Sequence, residues 1–420
     1  MKTKTVKGTR DYLPKEAELR EYMQGCILET YRDAGYQQII TPILEDIDNL
    51  DNSDGGENLN MIFKVLKRGD KLDAAINKQQ FDALSDIGLR YELTLSLCRY
   101  YANNKAQLVF PMKCIQIGNV YRAENPQRGR YRELIQCDID IVGTASCWAE
   151  VELVTTTAAA LTNLGIQDFR VRINDRRILK ALFLSFGFGE AQISSLCITF
   201  DKLDKIGADG IERELNDKAF DQATGSRLLG YIRANDFTLD TCIQLIGASA
   251  YTDNIQSIID AVNGLSNGQY RCEFDVTLVR GQGYYTGAVF EIESLAYASA
   301  LAGGGRYDGS IGKFINESVP AVGFSIGFER VFDVLLERRF AIPGRKQKVA
   351  VFFEDDYAAA YQAANGLRNQ YCVSIFEKPQ KFGKFLNRLE NEGYVGYCNA
   401  EQSAGISFFG SGAPLRHTPR

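Results

Sequence analysis

Tyr121-Arg122-Ala123-Glu124-Asn125-Pro126-Gln127-Arg128-Gly129-Arg130-Tyr131-Arg132 crowds four arginines, a proline and a glycine between two stretches of strand character. The stretch reads as a hairpin loop. Arginine presents a planar fork matched to phosphate oxygens, so such a loop suits a polyphosphate or an RNA end; a solvated basic turn fits it equally well. The returning strand, Gln136-Cys137-Asp138-Ile139-Asp140-Ile141, alternates strictly. Gln136, Asp138 and Asp140 share one face and three apolar residues the other. In Arg90-Tyr91-Glu92-Leu93-Thr94-Leu95 a strand would likewise put Arg90, Glu92 and Thr94 together. These polar faces meet either solvent or the floor of a cavity.

Working outward, apolar spacing near 3.6 predicts a helix over 15–34, with Gly35 past its end, then a strand over 37–40 closed by Thr41-Pro42. Helical periodicity takes over at 176–264. Strand patterns return at 272–293 and 322–327, and an apolar helix follows over 329–337. The basic stretch 338–347, holding Pro343-Gly344, reads as a linker. Beyond it, 348–420 carries strands at 349–353, 373–376 and 395–397 around helices at 358–370 and 381–391, a βαβαβ rhythm that indicates a parallel sheet. The expected division is therefore 1–175, 176–264, 265–337, the linker 338–347, and 348–420.

At 420 residues, with 45% hydrophobic and 24% charged, the chain has the composition of two or three globular domains. No apolar run reaches the ~18–20 residues of a membrane span, and the start lacks an apolar leader, so a cytoplasmic location is expected. Ten cysteines without a C-x-x-C pair argue against a zinc site and a disulfide scaffold. The one histidine, His417, excludes His-dependent triads and metal sites from a folded core. Net charge is −5, divided as +3 from Pro343 onward and −8 before it, a weak sign of a polyanion partner for the tail.

Neither a G-x-x-x-x-G-K-[ST] loop nor a G-x-G-x-x-G turn is present. Three further clusters mix glycine with chemistry-bearing side chains. They are Thr277-Leu278-Val279-Arg280-Gly281-Gln282-Gly283-Tyr284-Tyr285-Thr286-Gly287, Gly303-Gly304-Gly305-Arg306-Tyr307-Asp308-Gly309, and Gly323-Phe324-Ser325-Ile326-Gly327-Phe328-Glu329-Arg330. Arg330 in a first helical turn opposes the helix dipole by up to ~1 kcal/mol, so a role beyond local stability or a surface salt bridge must account for it.

In this order the segments resemble the signature of class II aminoacyl-tRNA synthetases, within them the histidyl-tRNA synthetase family. Lys7-Gly8-Thr9-Arg10-Asp11-Tyr12-Leu13-Pro14 is similar to that family's opening. Residues 35–45 resemble motif 1, 121–143 motif 2 and 322–336 motif 3; 278–291 and 303–309 resemble the two histidine-specific motifs. The resemblance implies an α+β fold: an antiparallel sheet flanked by helices, a helical insertion, and a C-terminal α/β domain that binds the anticodon. It implies ATP-dependent ligation of L-histidine to tRNA(His) via histidyl-adenylate, with ATP entering as its Mg2+ complex, no protein-held metal, and a homodimer. Carried onto this chain, Arg122 holds the α-phosphate, Glu124 the adenine side, and Arg130 and Arg330 the β- and γ-phosphates. Arg280 takes the place of a metal near the α-phosphate and adjoins the histidine. Glu92, Thr94 and Gln136 bind the amino and carboxylate groups, while Asp140, Tyr284, Tyr285 and Tyr307 surround the imidazole. Gln127 and Arg128 face the tRNA acceptor end.

The chain departs from the pattern at Asp140, where many members carry Glu, at Gln282-Gly283 in place of Leu-Asp, and at Asn125, often basic. Two alternatives share the core: a catalytically silent paralogue regulating histidine biosynthesis, and a class II synthetase for glycine, threonine or proline. Arg280 and the βαβαβ tail weigh against the first, and the 280–285 segment against the second.

Overall fold

In the computed structural model the described residues are 1–53, 56–126, 129–234, 236–279, 283–297, 299–400 and 405–410. They form two compact units, Met1–Phe340 and Ala341–Arg420. The division falls inside the stretch read as a linker.

The first unit is built on an eight-stranded sheet. Its order is Gln37–Gln38, Met112–Tyr121, Glu133–Val142, Ala321–Gly327, Ser299–Arg306, Ala288–Ser294, Phe169–Asp175, Cys272–Phe274. Only the two end pairs run parallel. This is the α+β architecture with a large antiparallel sheet that the resemblance implies. The arginine-rich loop caps the hairpin of Met112–Tyr121 and Glu133–Val142, paired from Tyr121 opposite Glu133 to Met112 opposite Val142. On the far side of the returning strand, Gly323 lies opposite Asp140, Ser325 opposite Asp138 and Gly327 opposite Gln136.

Helix Pro14–Asp33 starts with Pro14, whose missing N–H is no loss in a first turn, and Glu16 reaches back to accept from the Leu13 N–H at 3.0 Å. Its apolar face, Leu19, Met23, Ile27 and Tyr31, is buried. This helix packs on Trp148–Asn163 and on Phe328–Glu337, and all three pack on the sheet. The described helices between Arg176 and Leu265 belong to the same compact unit. Edge-to-face rings hold them together: Phe183 against Phe200 (5.5 Å) and Phe186 against Tyr231 (5.3 Å).

One expected strand is not a strand. Residues 91–93 bend, and Thr94–Asn104 is helical. The Glu92 carboxylate accepts from the Thr94 N–H (3.1 Å) and the Leu95 N–H (2.7 Å), satisfying donors that the first helical turn leaves orphaned. That local capping overrides an alternation only six residues long. The strand expected over 37–40 is also shorter, Gln37–Gln38.

In the second unit Cys372–Glu377, Lys348–Phe353 and Tyr394–Asn399 run parallel, with Lys348–Phe353 central. A two-residue strand, Ser407–Phe408, adds an antiparallel edge. Successive residues of the central strand face opposite layers. Val351 packs with Ala360 and Ala364, and Ala350 and Phe352 with Leu389. Both faces are thus covered by helices Tyr357–Leu367 and Phe382–Asn391.

Candidate active site

The hairpin loop is tied down from beneath. The Arg132 N–H donates to Gly8 O (2.8 Å), its Nε to Glu124 O (3.1 Å), and the Arg122 N–H to Arg132 O (2.9 Å). Gly8, at φ +90°, sits where a Cβ would press on Arg132 and Pro126, so the opening segment forms a bed for the loop. Arg122 Nε donates to Tyr91 O at 2.9 Å. Arg130, half exposed, lies 3.9 Å from the Glu124 carboxylate. A Cβ on Gly129 would meet Arg330 Cγ, and Arg330 Nη1 donates to Ala300 O at 2.8 Å. Gln127, Arg128, Arg280 and Gln282 lie outside the described residues.

On the returning strand, Asp138 and Asp140 are 6% and 3% exposed, so the polar face is a floor and not a solvent surface. Tyr307 OH donates to Asp140 Oδ1 at 2.6 Å. A Cβ on Gly323 would overlap that same oxygen, so only glycine fits opposite Asp140. Burial pushes the Asp140 carboxyl up to about 7, with the Tyr307 hydrogen bond opposing and the Glu92 charge adding. Burial and then Asp140 raise Asp138 well above the carboxylate range, against Ser325 and Arg122. Glu92 is raised by burial, against its backbone N–H bonds and Arg122.

Tyr284 stacks edge-on against Tyr285 (4.9 Å between ring centres) and Tyr307 (6.0 Å), and its hydroxyl reaches Glu92 Oε2 at 3.5 Å. Arg176 Nη1 steadies this segment by donating to Gly283 O and Tyr285 O, both at 3.3 Å. Gln136 Nε2 donates to Ser325 Oγ at 3.2 Å. A cavity of about 260 Å³ opens beside Glu92, Thr94 and Tyr284, walled also by Tyr91, Lys313 and Phe314. Glu92, Thr94, Asp140, Tyr284, Tyr285 and Tyr307 therefore gather around one site. Gln136 joins through Ser325, and Arg122 supplies nearby positive charge. Among the described residues no group of three His, Cys, Asp or Glu is placed to hold a metal.

Two features went unread in the sequence, and a third was read without a role. Glu329 is clasped by Arg20 (2.5 and 2.8 Å), accepts from the Ile135 N–H (3.2 Å), and receives Tyr12 OH (3.3 Å), locking the first helix and the motif 3 helix to the returning strand. Arg90 Nε donates to Asn119 O (2.9 Å) and its Nη1 to Thr41 O (2.9 Å), bracing the hairpin from below. Asp138 was visible in the alternation, but no motif drew attention to it.

The profile described as "Histidyl-tRNA synthetase" matches residues 8–331 of the chain. A histidine–tRNA ligase of Leifsonia xyli subsp. xyli (strain CTCB07) is 45% identical over 342 residues, 78% of this chain and 79% of that protein. One of Cytophaga hutchinsonii is 33% identical over 407 residues, 92% and 89% of the respective chains. The crystal structure of histidyl-tRNA synthetase from Nostoc sp. PCC 7120 is similar at a TM-score of 0.76 and 26% identity, covering 94% of this chain and 91% of that one.

Proposed function

The chain belongs to the histidyl-tRNA synthetase family, and from that premise we propose that it ligates L-histidine to the 3′ end of tRNA(His), releasing diphosphate and then AMP. The observation that carries this reading is the buried Asp140–Tyr307 pair beside Glu92 and the stacked tyrosines, a pocket of acid acceptors met by the hydroxyls of Tyr307 and Tyr284.

The histidine carboxylate is already ionised at neutral pH, so its attack on the α-phosphorus of ATP needs no general base. What it needs is alignment and positive charge around the pentacoordinate centre and the departing diphosphate. Arg122 would hold the α-phosphate, Glu124 the adenine side, and Arg130 and Arg330 the outer phosphates. Arg280 would act where other class II enzymes use a metal, and Mg2+ would arrive with ATP. The ribose 3′-hydroxyl of the tRNA then attacks the adenylate carbonyl and expels AMP. Gln127 and Arg128 would meet the acceptor end.

Glu92, Thr94 and Gln136 would take the amino and carboxylate groups. Tyr307 occupies Asp140 Oδ1, and we assign the second Asp140 oxygen to a ring N–H, with Tyr285 on the other side. A site that hydrogen-bonds the ring disfavours analogues lacking it by ~10⁴-fold, because buried acceptors would be stranded.

Residues 348–420 would read the anticodon, in keeping with the positive balance of the tail. We propose a cytoplasmic homodimer joined through motif 1. Supporting the dimer, Ile40 (86%) and Leu44 (52%) are exposed apolar residues of that motif. Supporting a reducing compartment, all ten cysteines are free. No described helix is long and apolar enough to cross a membrane.

The test is charging of tRNA(His) with labelled histidine in the presence of ATP. Charging is expected, and removal of residues 343–420 should weaken it far more than adenylate formation. Histidine binding without charging would point to the silent paralogue, and no histidine binding would defeat the reading.

A further inference from the structure

On the site face of the returning strand, two buried acceptor atoms have no hydrogen-bond donor: Gln136 Oε1 and Asp138 Oδ1. The residues stand at i and i+2, so both side chains rise from one face about 7 Å apart along the strand. The rest of each group is committed. Gln136 Nε2 donates to Ser325 Oγ at 3.2 Å, and Ser325 hydrogen-bonds Asp138. This fixes the amide so that its oxygen points away from Ser325.

A buried acceptor left without a donor is costly, and a buried carboxylate more so. The neighbouring Glu92 and Asp140 are themselves acceptors, so the missing partner must bring N–H or O–H groups. Nor do the acids form a metal cage among the described residues. An ammonium has three donors, no acceptor and one positive charge, so it suits two orphan oxygens ringed by carboxylates.

We propose that Asp138 is a further substrate-contacting, specificity-determining residue, whose Oδ1 joins Gln136 Oε1 in receiving the α-ammonium of the amino acid. The assignment rests on the histidine reading. It orders the strand with the α-ammonium between Gln136 and Asp138 and the ring at Asp140. Burial of Asp138 beside Asp140 raises its carboxyl, and a cation bound there would bring it back down.

The test is calorimetric titration of the full chain and of Asp138→Asn with three ligands. L-Histidine and L-histidinol keep the ammonium; 3-(imidazol-4-yl)propanoate lacks it. Asp138→Asn should weaken the first two about tenfold or more and leave the third within about twofold. Equal loss for all three, or no loss for any, overturns the proposal. If the unaltered protein binds none of the three, the histidine reading falls and this proposal with it. Should the variant fail to fold, a crystal structure of the unaltered protein with L-histidinol decides. The ammonium is expected within about 3.2 Å of Asp138 Oδ1; water on that oxygen with the ammonium elsewhere overturns it.

Discussion

The two regions of the large sheet handle buried charge in opposite ways. At its outer end Arg172 meets Asp275 at 2.6 Å, Thr277 at 2.8 Å and Glu291 at 3.6 Å, while Arg170 bridges Glu273 (2.6 Å) and Glu293 (2.8 Å). Every acid in that ladder has a cation in reach. At the centre, Asp138, Asp140 and Glu92 lie together with Arg122 as the positive charge opposing two of them. The carboxyl pKa values record the contrast. Burial raises Asp275, but Arg172 and Thr277 more than offset it and leave it below the ordinary value, whereas Asp140 stands at about 7. A paired ladder stabilises the fold; acids left short of cations mark where a charged ligand completes the balance.

The largest break in that comparison is Arg122→Ala, which removes positive charge from the centre and, on the proposed reading, from the α-phosphate. Adenylate formation should fall about 10³-fold, read as histidine-dependent ATP–pyrophosphate exchange. Asp140→Asn comes next, with the KM for histidine rising about 10²-fold while the KM for ATP stays nearly constant. It also carries a pH signature. With its carboxyl raised, Asp140 contributes stability that is fully present below the ordinary carboxylate pKa and is lost as pH rises through about 7. The asparagine variant should therefore gain thermal stability over its parent at pH 8 more than at pH 5.

Arg172→Gln should do the reverse. Exchange activity stays within about threefold, but stability drops by about 2–3 kcal/mol at neutral pH because part-buried acids lose their partner. Asp275, with its carboxyl lowered, contributes stability above the ordinary pKa that is lost as pH falls through its folded value. The deficit of this variant should shrink in acid, the opposite sense to Asp140→Asn, and thermal melts across pH read both.

Much of the centre was legible because its six-residue alternation lies inside a ten-residue strand paired on both sides, with no helix cap to compete. Over Gln136–Ile141 that alternation put Gln136, Asp138 and Asp140 on one face, where the sheet holds them. The tail was legible for a related reason: short apolar strands between amphipathic helices leave few arrangements besides a parallel sheet. Arg90–Leu95 misled because two capping bonds from Glu92 outweigh six residues of alternation. The Arg20–Glu329 clasp joins residues 309 positions apart, and no local pattern announces such a pair. Gly323 carried no visible reason until Asp140 was seen opposite it.

Amino-acid dependence of ATP–pyrophosphate exchange by the intact protein, with each of the twenty amino acids in turn, bears most directly on the central acids. Exchange supported by L-histidine and essentially none of the others is the expected result. Exchange driven by glycine, threonine, proline or another amino acid, with histidine inert, would contradict it.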